Sequence, residues 1–250
     1  MVIRKKARKK ARKKMAKKTN DKRSRALKFQ VTEAYKKART NLVYSIIKKG
    51  CRKIIITSPY KSEGKTTTAV NVAIALSQQV DVKVLIIDCD LRRPTIHTFF
   101  DIKNEQGLAN LLSDECSLEE AVTHTSNPNL DIVSYGAIPP NPSELLSSDN
   151  MKQMVEVFEK KYDYILFDTP PVNMVIDVIP IISLSDGIVL VTKHKDTTYP
   201  ELNKAVDTLK RNNAKILGII INQIPTLETA KGGYYLYRAR RSGYYRSNYY

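Results

Sequence analysis

The sequence lacks any long apolar run and has few cysteines, and both shortages exclude classes of protein. A helix that crosses a bilayer needs roughly 18–20 apolar residues, whereas the longest apolar runs here have strand lengths, as at 216–221. The first residues carry charge without an apolar core, which does not fit a secretory signal peptide. An odd number of cysteines with no close pair argues against a disulfide framework or a zinc site and fits a reducing cytosol: Cys51, Cys89 and Cys116. The histidines share no spacing that suggests a metal site: His97, His124 and His194.

The sequence also has little net charge outside its first 25 residues. The whole chain carries a formal charge of +17, yet residues 1–25 hold 14 of the 42 basic residues and one of the 25 acids. The remaining 225 residues hold 28 bases and 24 acids, so their charge is nearly balanced. We expect three parts: a polybasic disordered arm over 1–25, a single folded domain over 26–225, and a disordered tyrosine-rich tail over 226–250.

The middle of the chain alternates short apolar runs with helical patterns. The apolar runs predict strands at 53–57, 83–88, 130–134, 164–168, 187–192 and 215–222. The amphipathic stretches predict helices at 31–48, 65–79, 107–112, 118–122, 143–160 and 200–212. This alternation predicts an α/β fold with a doubly wound, mostly parallel sheet that helices cover on both faces. Ligands bind such sheets beyond the carboxyl ends of the strands.

A phosphate-binding loop is predicted where the first of these strands ends. Residues 58–68 read SPYKSEGKTTT, so a Gly-Lys-Thr triplet opens a helix directly after a strand. Backbone N–H groups and the dipole at a helix N-terminus bind phosphates. Lys65 would reach the β- and γ-phosphates, and the Thr66 hydroxyl would ligate Mg²⁺. Pro59 stands where the usual pattern has glycine, and the triplet alone leaves open an ordinary helix start capped by Ser62.

Three acidic residues follow two other predicted strands. The segment VLIIDCDLRRP places Asp88 and Asp90 two residues apart, on the same side if strand geometry persists, and YILFDTPP ends a strand in Asp168. Buried carboxylates are costly unless a metal, water or a base satisfies them, and an acid placed like Asp168 holds Mg²⁺ through water. Each acid alone could cap a helix. The presence of all three acids at these spacings after a phosphate-binding loop favours a Mg·nucleotide site.

These segments together resemble the bacterial tyrosine kinases, specifically the cytosolic kinase half found in Gram-positive capsule and exopolysaccharide operons. The resemblance covers residues from about 26 to 250 and includes SPYKSEGKTTT, LIIDCDLRRPT, ILFDTPP and GAIPPNPSELL. The related partition and septum-positioning ATPases usually carry a lysine at the second position of the loop, where this chain has Tyr60. The resemblance implies a deviant P-loop NTPase fold and a non-specific protein-tyrosine kinase.

The resemblance also implies roles for single residues, with ATP and Mg²⁺ as cofactors. Asp88 would be the general base, and Asp90 and Lys65 would complete the catalytic set. The metal would be held by Thr66, Asp90 and Asp168. The nucleotide would be bound by Ser62, Glu63, Gly64, Lys65, Thr66, Thr67 and Asn222. Asn222 resembles the residue that contacts adenine, although its position alone suggests only a turn at a strand end.

The C-terminal tail holds seven of the 14 tyrosines. It shows neither helical nor strand periodicity and has little aliphatic content, so we expect disorder. Considered alone, the tail could stack on RNA bases or be a sticky disordered end. The resemblance implies that it is the autophosphorylation substrate. Each phosphate adds about −1.5 to −2 charge, and we hypothesise that the reversed charge controls assembly. The predicted sites are Tyr234, Tyr235, Tyr237, Tyr244, Tyr245, Tyr249 and Tyr250.

A predicted subunit contact lies on the first helix. Glu33, Lys36 and Arg39 resemble the family's ExxRxxR contact motif, which implies a ring-like homo-oligomer. Lys36 replaces the first arginine and cannot make a bidentate fork with a carboxylate. The alternative is a solvated helix face on which Glu33 pairs with Lys36.

The basic arm allows three interpretations. It could bind nucleic acid, bind an anionic membrane surface, or only aid solubility. We favour the inner face of the cell membrane, because the resembled family works there with a separate transmembrane activator. We thus expect a cytoplasmic, peripheral protein for which nucleic acid is not a partner. A tyrosine phosphatase and further substrates in the polysaccharide pathway are the other expected partners.

The predicted function is a tyrosine kinase that phosphorylates its own tail in trans and regulates capsular or exopolysaccharide synthesis and export. Two other classes stay open, a partition-type ATPase switch and a nucleic-acid-binding interaction protein. Tyr60 and the tyrosine tail disfavour the ATPase switch. The nearly balanced charge of the body and its magnesium-type acids disfavour the nucleic-acid-binding protein.

Overall fold

The computed structural model describes the backbone of residues 2–224 and the side chains of residues 24–224. Its strands are β1 (Arg52–Thr57), β2 (Val84–Asp88), β3 (Val122–His124), β4 (Leu130–Val133), β5 (Tyr164–Asp168), β6 (Gly187–Lys193) and β7 (Ile216–Asn222). They form one sheet in the order β3-β4-β2-β5-β1-β6-β7. Only the pair β3–β4 in this sheet is antiparallel. The predicted mostly parallel sheet is therefore confirmed.

Helices flank this sheet. They are α1 (Val2–Ser45), α2 (Lys65–Ser77), α3 (Ile96–Phe100), α4 (Leu108–Leu112), α5 (Leu118–Ala121), α6 (Pro142–Leu146), α7 (Asp149–Phe158), α8 (Ile179–Ile182) and α9 (Tyr199–Arg211). Side chains of β1 alternate between two apolar cores, because successive residues of a strand face opposite sides. Ile54 and Ile56 belong to the core that α1 and α2 cover, whereas Ile55 belongs to the core that α7 and α9 cover.

The predicted element bounds are close to the observed ones, with a few errors. Each predicted strand differs from the observed one by at most one residue at either end. The single helix predicted over 143–160 is wrong, because α6 ends at Leu146 and α7 begins anew. Ser148 is the N-cap of α7, and its hydroxyl accepts a hydrogen bond from the N–H of Met151 at 3.2 Å. The elements α3, α8 and β3 were not predicted, because these short segments show no periodicity that separates them from loops.

Helix α1 continues through the basic segment. A disordered arm was expected over 1–25, whereas the backbone is helical from Val2 onward. Lysine, arginine and alanine have high intrinsic helix propensity, which explains the difference. The proposed boundary at residue 25 stays a prediction, and the tail over 226–250 lies outside the described residues. Among the described residues, no helix is both long and apolar enough to cross a membrane.

Candidate active site

The loop between β1 and α2 has the backbone shape that a phosphate-binding loop needs. Gly64 has φ of 88° and immediately precedes α2. A Cβ atom at Gly64 would lie 2.6 Å from Nδ2 of Asn222, so both the dihedral angle and the space require glycine. No side chain caps α2, so the alternative of a helix start capped by Ser62 is wrong. Helix α2 instead begins directly after the loop that leaves the carboxyl end of β1.

Two predicted nucleotide-binding residues stabilise this loop from within the protein. Asn222 ends β7 and donates from Nδ2 to the carbonyl of Glu63 at 2.9 Å and to the hydroxyl of Thr68 at 3.1 Å. The side chain of Glu63 is buried, and its carboxylate accepts bonds from the N–H of Tyr60 and the hydroxyl of Thr197. Burial raises the pKa of Glu63. Both side chains therefore shape the loop, and the adenine contact of Asn222 stays a prediction.

The remaining predicted loop residues lie on either side of this turn. Ser62 is exposed and has φ of 65°. Thr67 is partly buried in the first turn of α2, where its carbonyl accepts a bond from Asn71. Neither side chain contacts the acidic cluster in the described part of the chain, so each would reach a nucleotide mainly through its backbone N–H.

The structure brings Lys65 and Thr66 together with the predicted acids. Nζ of Lys65 lies 2.7 Å from Oδ2 of Asp90 and 3.5 Å from Oδ1 of Asp168. The hydroxyl of Thr66 donates to Oδ2 of Asp168 at 2.6 Å. Burial lowers the pKa of Lys65, but the charges of Asp168 and Asp90 outweigh it and hold that pKa above its ordinary value. Strands β1, β2 and β5 are neighbours, and their carboxyl ends therefore assemble the cluster.

Asp88 lies beside this cluster and is fully buried. Its carboxylate accepts bonds from the N–H groups of Thr95 and Ile96, both at 3.0 Å, and from the N–H of Asp90 at 3.3 Å. Burial and the negative charge of Asp168 raise the pKa of Asp88 to about 7. A carboxyl group in this state can take up a proton near neutral pH.

The donor set fits a magnesium ion bound together with a nucleotide. Oδ1 of Asp168 is buried and accepts no hydrogen bond from the described residues. Carboxylate, hydroxyl and phosphate oxygens are the ligands that Mg²⁺ prefers. In residues 24–224, no three His, Cys, Asp or Glu side chains form a preassembled metal cluster. Mg²⁺ does not need one, because it typically binds one or two carboxylates plus phosphates and water.

An ion pair between the half-exposed Arg92 and the buried Asp177, close to the acids, was not predicted from the sequence. Arg92 donates from Nε to Oδ2 of Asp177 at 2.6 Å and from Nη2 to Oδ1 at 3.1 Å. The hydroxyl of Ser143 donates to Oδ1 of Asp177 at 2.5 Å. Arg92 and Ser143 lie in segments that carry the resemblance, but Asp177 has no local pattern that marks it.

The predicted subunit-contact residues interact with their own chain. Nζ of Lys36 lies 2.8 Å from Oε1 of Glu33, which is the pairing weighed as the alternative. Nη1 of Arg39 donates to the carbonyl of Ala75 near the end of α2 at 3.1 Å. The tyrosine tail lies outside the described residues. The subunit contact thus stays a prediction.

Comparison with known proteins gives consistent matches. A family model described as an AAA domain matches residues 51–219. The tyrosine-protein kinase YwqD of Bacillus subtilis (strain 168) is 39% identical over 204 residues, which are 82% of this chain and 86% of that protein. The solved kinase domain of Escherichia coli tyrosine kinase ETK superposes with a TM-score of 0.74 at 32% identity, covering 77% of this chain and 75% of that one. A ParA family ATPase from Chlorobium tepidum TLS, at 22% identity and a TM-score of 0.60 over 71% of this chain and 76% of that one, shares the fold.

Proposed function

This chain belongs to the bacterial tyrosine-protein kinases, and we propose that it transfers the γ-phosphoryl group of ATP to tail tyrosines of a neighbouring subunit. The observation that carries the proposal is the convergence of Lys65, Thr66 and Asp168 beside the buried Asp88. Phosphoryl transfer needs mainly positioning and charge neutralisation, and these side chains supply both. The likeness to the partition ATPase is confined to the fold and gives that alternative no support of its own.

Each residue of the cluster has a separate task in this proposal. Thr66 and Asp168 would hold Mg²⁺, with Asp90 beside them, and the ion would neutralise phosphate oxygens. Lys65 and the N–H groups at the start of α2 would bind the phosphates. Asp88 would accept the phenolic proton as the tyrosine oxygen bonds to the γ-phosphorus and the bond to the bridging β–γ oxygen breaks. Its pKa near 7 makes it a stronger base than an ordinary carboxylate.

The seven tyrosines of residues 234–250 are the proposed acceptors. The segment from 226 to 250 carries one lysine, four arginines and one acid, Glu228. Each phosphotyrosine adds about −1.5 to −2 charge, so a few of them would reverse the sign of the segment. We infer that this reversal weakens assembly of a homo-oligomer that uses Glu33, Lys36 and Arg39.

The proposed place of action is the inner face of the cell membrane. The basic helix would adhere to anionic lipid, and a separate transmembrane protein would activate the kinase. The pathway served would be capsular or exopolysaccharide synthesis and export, with a tyrosine phosphatase resetting the tail. These assignments follow from the family resemblance and from the 14 bases among the first 25 residues.

Intact-mass spectrometry after incubation with Mg·ATP tests the reaction. We expect several additions, each with the mass of one HPO₃ unit, confined to residues 234–250. Lys65→Met and Asp88→Asn should abolish them, because one removes the phosphate-binding cation and the other removes the base. Lys103→Met is the control, since this lysine is 86% exposed and its ion pair, at 3.7 Å, is with Glu105. Phosphorylation of the Lys65→Met protein on its own would contradict the proposal.

A further inference from the structure

We propose that Arg92 and Asp177 form a positioning pair that fixes the loop after β2, which carries Asp90 and binds the carboxylate of Asp88, and thereby sets the rate of phosphoryl transfer. The inference rests on the proposed function, and it adds two residues that no motif assigns to this task. Neither is a catalytic residue, because each would act through the acids of the loop.

The pair has the geometry of a bidentate fork. Both oxygens of Asp177 accept a bond from Arg92, at 2.6 and 3.1 Å, and Ser143 adds a third at 2.5 Å. The Asp177 side chain is fully buried, whereas that of Arg92 is 45% exposed. Planar two-point pairing fixes direction as well as distance. The guanidinium of Arg92 therefore has one favoured orientation relative to the buried carboxylate of Asp177.

Asp177 joins three segments that are far apart in the sequence. Arg92 belongs to the loop after β2, Ser143 lies in α6, and Asp177 precedes α8. Arg92 is two residues from Asp90, and the next residue, Arg93, donates its N–H to the carboxylate of Asp90 at 3.1 Å. The pair thus holds the loop at its middle, immediately beside an acid of the site.

The same loop folds back on Asp88 at its far end. The N–H groups of Thr95 and Ile96 bind the Asp88 carboxylate, both at 3.0 Å. Beside these bonds, two side-chain contacts attach the loop to the rest of the domain: the ion pair of Asp90 with Lys65 at 2.7 Å and the fork from Arg92 to Asp177. Loosening that fork would let both acids shift, and a displacement of about 1 Å in a reacting group can cost about 100-fold in rate.

The phosphate-binding loop is held by different contacts. Glu63 binds Tyr60 and Thr197, and Asn222 binds the backbone of the loop. None of these groups touches Arg92 or Asp177 in the described residues. Changes in the pair should therefore lower nucleotide affinity much less than the rate of the chemical step, because Thr66 and Asp168 also keep their contact.

Two variants and their combination separate positioning from general stability. Arg92→Lys keeps the charge but loses the fork, and Asp177→Asn keeps the shape but loses the charge. The control is Arg93→Lys, because in residues 24–224 the guanidinium of Arg93 makes no ion pair or hydrogen bond. The full-length protein is supplied with Mg·ATP and the membrane activator. Tail phosphorylation gives kcat, calorimetry gives the Kd for Mg·ADP, and thermal melts report folding.

We expect Arg92→Lys to lower kcat by about 10- to 100-fold, with the Kd for Mg·ADP within threefold of wild type. The double variant should be no slower than Asp177→Asn, because both changes remove one interaction. Arg93→Lys should match wild type. If the wild type is active and Arg92→Lys keeps the wild-type kcat, the positioning role is overturned. It is also overturned if Arg92→Lys loses nucleotide affinity by the same factor as it loses rate. If Asp177→Asn fails to fold, the kcat and the Kd of Arg92→Lys still decide. A wild type that leaves its tail unmodified overturns the proposed function and this inference with it.

Discussion

Gly64 offers a sharp test of how the phosphate-binding loop is built, because Gly64→Ala meets two separate obstacles. Alanine at φ of 88° costs about 1–2 kcal/mol in the left-handed region. The new Cβ would also lie 2.6 Å from Nδ2 of Asn222, and overpacking of this kind costs about 1–3 kcal/mol. The expected total loss of unfolding free energy is about 2–5 kcal/mol.

The chain supplies a matched control at Gly50. It has φ of 78°, but a Cβ there would have no neighbour within 4 Å. Gly50→Ala should therefore cost only the dihedral penalty, about 1–2 kcal/mol. The difference between the two variants isolates the close approach of Asn222 to the loop.

Urea unfolding of the single variants and of a double variant measures these terms. Asn222→Ala removes hydrogen bonds to Glu63 and Thr68, at about 1 kcal/mol each, but it also removes the obstacle to a Cβ at position 64. The double variant should thus lose less than the sum of the single losses, by about 1–3 kcal/mol. Equal losses for Gly64→Ala and Gly50→Ala, or strict additivity in the double variant, would refute the reasoning.

Two further predictions concern other parts of the chain. Ser148→Ala should lower the unfolding free energy by about 1 kcal/mol, because it removes the N-cap of α7. Ser147→Ala removes a hydroxyl that is exposed and donates to the carbonyl of Ser143, and it should change the unfolding free energy by less than about 0.5 kcal/mol. Equal effects of the two variants in urea unfolding would contradict the cap. Deletion of residues 1–25 should abolish sedimentation with anionic vesicles, since each cation near such a surface contributes about 1 kcal/mol. Undiminished binding to those vesicles, or equal binding of the intact chain to neutral ones, would remove the membrane role.

Much of the fold follows from local patterns in the sequence. The apolar run YILFD predicts β5 with its observed bounds, because a strand that is buried on both faces of a parallel sheet has a nearly uninterrupted run of apolar residues. The break at Ser148 was missed, since helical periodicity continues on both sides and the cap is visible only as a hydrogen bond. Strand β3 has three residues and depends on pairing with β4, a tertiary effect that no window of the sequence contains.

The candidate site likewise contains some residues that the sequence predicts and some contacts that it does not. Lys65, Thr66 and Asp168 could be predicted together because strand ends in a parallel sheet share one edge. The contacts of Glu63 with Thr197 and of Arg92 with Asp177 span 134 and 85 residues. Such pairs arise only once the loops are placed by the sheet, and no spacing rule connects their members.

The central claim is that the cluster around Lys65 phosphorylates tyrosines of another subunit, and a mixing experiment tests it most directly. A full-length chain with all seven tail tyrosines changed to phenylalanine serves as the enzyme, and the Lys65→Met chain with its intact tail serves as the acceptor. With Mg·ATP and the membrane activator, we predict phosphates on the tail of the Lys65→Met chain. An acceptor tail that stays unmodified, under conditions in which the wild-type protein phosphorylates its own tail, would contradict transfer between subunits.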